Sequence, residues 1–212
     1  MLLTEDAPRE QPVHEAEENL RIIRGLMERS TKHSTFSGLS GVMAGLYAIT
    51  GSAVQGFILP RMAPEHPIYS FLVLWSTVVI LAIGTDFLLT KRKAVRVGKT
   101  IRSRLGRQMV LAAGPALGTG ALLTLFFARY QWIYNIYPIW MLCYGCAVCA
   151  VGLFSQKEVT RLGWAFLATG SVTLFVMLGS TAGDVIGLVM TAVTFGGFHI
   201  VYGIAVSRRD GW

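Results

Sequence analysis

Charge is nearly absent from six long stretches of this chain and crowded into the gaps between them. The apolar runs cover residues 36–59, 68–90, 109–128, 132–154, 162–181 and 185–206. Each is about 20 residues or longer, the length at which a helix rising 1.5 Å per residue crosses a hydrocarbon core about 30 Å thick. The pattern predicts an all-α membrane protein, a bundle of six transmembrane helices over residues 36–206. A different periodicity precedes it. From His14 to Lys32, Leu20, Ile23, Leu26 and Met27 recur at three- and four-residue spacing, which predicts an amphipathic helix. Glu15, Glu17 and Glu18 early and Arg29 and Lys32 late complement its dipole. Residues 1–13, with Pro8 and Pro12, read as a disordered tail, and residues 207–212 as a short tail at the other end.

Charge then assigns sides. Of the 19 Lys and Arg residues, alternate gaps hold 5 (residues 1–35), 8 (91–108), 2 (155–161) and 2 (207–212). The opposite gaps hold only Arg61 and Arg129. Cytoplasmic loops carry the excess of basic residues, so both termini are expected in the cytoplasm. The polar, acidic-rich first 33 residues lack the form of a cleavable leader, so the first span is expected to serve as its own insertion signal. Tyr130, Trp132, Tyr134, Tyr137 and Trp140 gather at the outer start of the fourth span, and Tyr69 stands near that of the second, where amphipathic rings favour the interface. Short loops after the third and fifth spans suggest hairpins of spans 1–2, 3–4 and 5–6.

Composition agrees with lipid as the solvent. The chain is 53% hydrophobic and 15% charged, with a mean hydropathy of +0.52, whereas soluble domains are about a quarter charged. The net charge of +7 is explained by topology rather than by nucleic acid. The loop with Lys91, Arg92, Lys93 and Arg96, continuing through Lys99, Arg102, Arg104 and Arg107, holds no aromatic residue on which a base would stack. Its expected partners are anionic phospholipid headgroups, each Lys or Arg contributing about 1 kcal/mol.

Small residues recur at four-residue spacing: Ser37, Gly41 and Gly45 in the first span, Gly114 and Gly118 in the third, Gly183 and Gly187 at the sixth. Such stripes let helix backbones approach closely. They are expected to serve internal packing, with one available for a homo-oligomer. Pro115 is expected to kink the third helix. Arg104-Leu-Gly106 and Arg161-Leu-Gly163 echo each other before the third and fifth spans, a match too short to define a repeat.

Ionisable groups inside spans are functional candidates by default. Asp86 lies five residues before Lys91 and His199 nine before Arg208. Those separations put them about 7.5 Å and 13 Å from the same boundary. Tyr202 shares the helical face of His199. An Asp86–His199 pair with Tyr202 would relay a proton or hold a cation; the alternative is that both groups only join helices. Gln55 lies too far toward the outer side to join them. Cys143, Cys146 and Cys149 fall in one apolar run and read as small packing residues, since no fourth thiol completes a cluster and thiolates are disfavoured in hydrocarbon. No nucleophile triad, phosphate-binding loop or zinc-protease motif occurs, and no lysine lies within a span. No cofactor is implied, and enzyme activity is the least favoured class.

Three stretches carry a resemblance: Met27-Glu-Arg-Ser-Thr leading into Ser37-Gly-Leu-Ser-Gly-Val-Met-Ala-Gly45, the Leu89-Thr-Lys-Arg-Lys-Ala94 junction, and Phe195-Gly-Gly-Phe-His-Ile-Val-Tyr-Gly203. Over residues 18–206 they resemble a group of uncharacterised six-span bacterial membrane proteins, of Bacteroidetes- and Acidobacteria-like genomes, often beside small winged-helix regulators. The group has no assigned activity, so no residue inherits a role from it. The resemblance implies a bacterial inner-membrane location and a regulatory setting. Two functions stand as expectations. The first is a non-enzymatic membrane module that binds itself or another membrane or cytoplasmic protein, in envelope sensing. The alternative is a small proton- or cation-coupled transporter or channel.

Overall fold

The structure, a computed structural model of the chain, describes residues 17–22, 38–62, 65–96, 104–178, 180 and 182–210. The chain divides into two units, Met1–His33 and Ser34–Trp212. In the first, residues 17–22 are helical and exposed. The rest of the expected amphipathic helix, the tail before it and Ser37 lie outside the described residues.

The second unit holds six helices long and apolar enough to cross a membrane, and the chain is an all-α, multi-pass membrane protein. They are α1 (Gly38–Met62), α2 (Pro67–Arg96), α3 (Arg104–Arg129), α4 (Ile133–Gly152), α5 (Lys157–Leu178) and α6 (Gly183–Arg209). No strand occurs among the described residues. α2 runs six residues beyond its uncharged stretch because Lys, Arg and Ala are strong helix formers and no breaker intervenes. Pro115 lies inside α3, which continues to Arg129.

α3 and α4 are joined by a tight turn. Trp132 N–H donates to Phe127 O at 2.9 Å and Gln131 N–H to Ala128 O at 3.2 Å, the bond pair of a Schellman ending. That ending places Gln131 at φ 60, a left-handed position glycine would take with less strain.

α4 is the centre of the bundle. Its residues Ile136, Tyr137 and Met141 form the core with Phe166 of α5 and Phe71 of α2. Two seams are drawn especially tight by glycine. Along α1–α6, a Cβ on Gly45 would stand 2.6 Å from Gly196 O, and one on Gly203 would stand 2.5 Å from Gly38 O. Along α4–α5, a Cβ on Gly163 would meet Cys149 N at 2.8 Å, and one on Gly170 would meet Met141 Cβ at 2.9 Å. Only hydrogen fits at these positions, so the backbones approach as small-residue packing allows.

The hairpin expectation is met unevenly. α1–α2 and α3–α4 pack side by side, but α5 makes far more of its contact with α4 than with α6, and α6 makes most of its contact with α1. Loop length keeps consecutive helices near each other; the glycine faces choose which pair closes.

Candidate functional site

The polar centre of the molecule is built on α6. Between Thr191 and His199 the helix widens into a π-segment, Ala192–Phe198. π-Bulges displace backbone carbonyls from their usual donors and cluster at functional sites. Two threonines satisfy part of this stretch. Thr191 Oγ1 donates to Gly187 O at 2.8 Å, and Thr194 Oγ1 to Met190 O at 2.7 Å.

His199 follows directly. Its Nε2 is 2.7 Å from the hydroxyl of Tyr144 on α4. The imidazole stacks on Phe195 at 6.2 Å between centroids and 11° between planes, and meets Phe166 of α5 edge-on at 5.5 Å. Nδ1 is buried and reaches no partner at hydrogen-bond geometry. The carbonyls of Phe195 and Thr194 stand beside the ring. Carbonyls only accept, so we assign the resting proton to Nδ1, with the Tyr144 hydroxyl donating to Nε2.

Asp86 of α2 and Tyr202 of α6 lie within electrostatic reach of the Tyr144 hydroxyl. Among the described residues, no hydrogen bond or ion pair joins Asp86 to His199 directly. The three residues singled out from the sequence therefore share a neighbourhood, and Tyr144 stands at its centre. Sequence reasoning missed Tyr144. Its signal was that it is the one tyrosine deep in the fourth span, away from the aromatic cluster at residues 130–140.

The basic end of the bundle lies beyond this centre. Lys91 and Arg92 are exposed there, while the side chains of residues 93–96 lie outside the described residues. Arg209 of α6 pairs with Glu158 of α5 at 3.5 Å and also bonds Gln156, tying the two helices at their basic ends.

The remaining candidates fall into two groups. Gly41 and Gly45 face α6; a Cβ on Gly41 would lie 3.2 Å from Gly203 Cα. Gly187 faces Tyr137, whereas Gly114 and Gly118 of α3 have nothing within 4 Å of a built Cβ. The cysteines are placed by packing. A Cβ on Gly120 of α3 would lie 3.2 Å from Cys143 Cβ; Cys149 faces Gly163 of α5, and Cys146 is exposed. Among the described residues, no three His, Cys, Asp or Glu side chains converge as metal ligands.

Polar bridges also join other helix pairs. Tyr47 Oη and Thr85 Oγ1 link α1 to α2 at 3.1 Å, and Trp140 Nε1 donates to Thr124 Oγ1 across α4–α3 at 2.8 Å. His199–Tyr144 differs from these in carrying an imidazole, a side chain whose two ring nitrogens can both donate and accept a proton. No family model, curated protein or solved structure matches the chain.

Proposed function

We propose that this protein is a small proton-coupled transporter or channel of the bacterial inner membrane, with both termini cytoplasmic and His199–Tyr144 as its proton-carrying pair. The observation that carries this reading is the 2.7 Å bond between Tyr144 Oη and His199 Nε2 deep within two apolar spans. In the resting state Tyr144 donates to Nε2. A proton arriving at Nε2 makes both ring nitrogens donors. Tyr144 then turns its hydrogen toward Asp86 or Tyr202 and accepts from the imidazolium. The Phe166 and Phe195 rings beside the imidazole offset part of the desolvation of that cation. Asp86, nearer the basic end, is the next station.

Two measurements on proteoliposomes test this. A pH jump is expected to produce a transient charge displacement on a supported membrane, and an imposed gradient to drive proton flux. Both are expected to fall at least about tenfold in His199→Gln, a barrier change of about 1.4 kcal/mol, and to fall less in Tyr144→Phe. Neither signal rising above protein-free liposomes would discard the reading.

A second reading is favoured by a different observation. α3 packs chiefly on α4, and Gly114 and Gly118 face open space. That stripe suits a second copy of this chain, making the protein an association module. Mass measurement in lipid nanodiscs tests it: a defined oligomer that Gly118→Leu disperses supports it, and a monomer in both forms removes it.

A further inference from the structure

At the end opposite the basic loop, the start of α4, the end of α5 and the start of α6 enclose a cleft of about 290 Å³. Its lining combines the polar Tyr134, Asn135, Ser180 and Asp184 with the apolar Pro138, Leu174 and Met177. A second cleft adjoins it, sharing Tyr134 and Asn135 and adding Trp132.

The lining is rich in acceptors. Asp184 contributes a carboxylate and, among the described residues, pairs with no basic side chain. It lies in the first turn of α6, where the helix dipole favours a negative charge. Asn135 offers an amide oxygen. Ser180 Oγ already accepts from Ala182 N–H at 3.1 Å and retains a second lone pair. Pro138 lies inside α4 and has no N–H, so the Tyr134 carbonyl loses its usual α-helical donor and becomes a further acceptor at the cleft wall. No Lys, Arg or His lines either cleft.

We propose that this cleft binds a primary ammonium group carried on a short apolar chain. Three acceptors around one carboxylate match the three donors and single charge of –NH₃⁺. A quaternary ammonium has no N–H to give them. An anion would meet Asp184 with no compensating cation, and one carboxylate is too few for a divalent metal. Leu174, Met177 and Pro138 receive the methylene chain, and the exposed Tyr134 and Trp132 line the adjoining cleft. The same chemistry occurs in an aminophospholipid headgroup and in a free amine. The site is independent of proton coupling, so absence of proton flux leaves it standing.

The full-length protein in nanodiscs of phosphatidylglycerol is titrated with hexylammonium by calorimetry, with hexanol and tetramethylammonium as comparators. Saturable binding of hexylammonium alone is expected, weakened about tenfold or more by Asp184→Asn and unchanged by Glu65→Gln, a carboxylate outside the cleft at the same end. Equal binding of hexanol, or full affinity in Asp184→Asn, overturns the proposal. Should Asp184→Asn elute as aggregate, Asn135→Ala decides: several-fold weaker binding supports the site, and unchanged affinity overturns it. Native mass spectrometry from mixed phosphatidylethanolamine and phosphatidylglycerol nanodiscs separates the sources. Selective, Asp184-dependent retention of phosphatidylethanolamine identifies a lipid headgroup; hexylammonium binding without such retention identifies a free amine.

Discussion

α3 and the α1–α6 seam carry the same sequence device and use it differently. Gly41 and Gly45 on α1 are closed over by α6, with backbone atoms where a side chain would begin. Gly114 and Gly118 on α3 have the same spacing and meet nothing. Burial follows this contrast. In their apolar windows α4 is 44% buried, α3 6% and α2 0%, and Leu122 and Leu125 of α3 remain 70% and 65% exposed. Lipid tails solvate leucine as well as another helix does, so an apolar face gives no reason by itself to associate. Close backbone approach and interhelix hydrogen bonds supply the reason, and α1, α4, α5 and α6 hold most of both.

The sharpest way to break this comparison is a pair of identical substitutions. Gly203→Leu is expected to cost about 3 kcal/mol, because the new side chain must displace the α1 backbone. Gly118→Leu is expected to stay within about 0.5 kcal/mol for the single chain. Tryptophan-monitored thermal unfolding in detergent compares them, and equal losses would mean that the open and closed stripes are equivalent. A smaller effect separates the polar centre from its surroundings. Tyr144→Phe leaves His199 Nε2 without its partner, and about 1–2 kcal/mol of stability is expected to go with it. Trp140→Phe removes the bond to Thr124 across α4–α3, for which about 0.6 kcal/mol is the average in membrane helices; a loss matching that of Tyr144→Phe would erase the distinction between the two bridges. The smallest effect is kinetic. Cys146 is exposed while Cys143 and Cys149 are covered by neighbouring helices, so a maleimide in detergent is expected to label Cys146 first, as peptide mapping would read.

Asp86 and His199 show how far residue counting reaches. Their separations from Lys91 and Arg208 give depth, since a helix rises by a fixed amount per residue. Rotation about the helix axis and the identity of the neighbour are not contained in a count. Tyr144, from a third helix, occupies the position that depth alone assigned to Asp86. Cys143 and Cys149 fit the packing reading made on the ground that hydrocarbon disfavours thiolates, whereas Cys146 is exposed. Their particular seats against Gly120 and Gly163 required the structure.

The sequence by itself determined the solvent, the number of spans and the approximate place of each along the chain. The transfer energy of each charged or apolar residue is local and accumulates along the chain, so a linear reading recovers it. Only the tertiary structure decided which glycine stripe closes, which hydroxyl meets His199, and which loops and helix ends join to make an acceptor-lined cleft. Those outcomes depend on the azimuth of one helix against another, which is fixed by contacts between residues far apart in the chain.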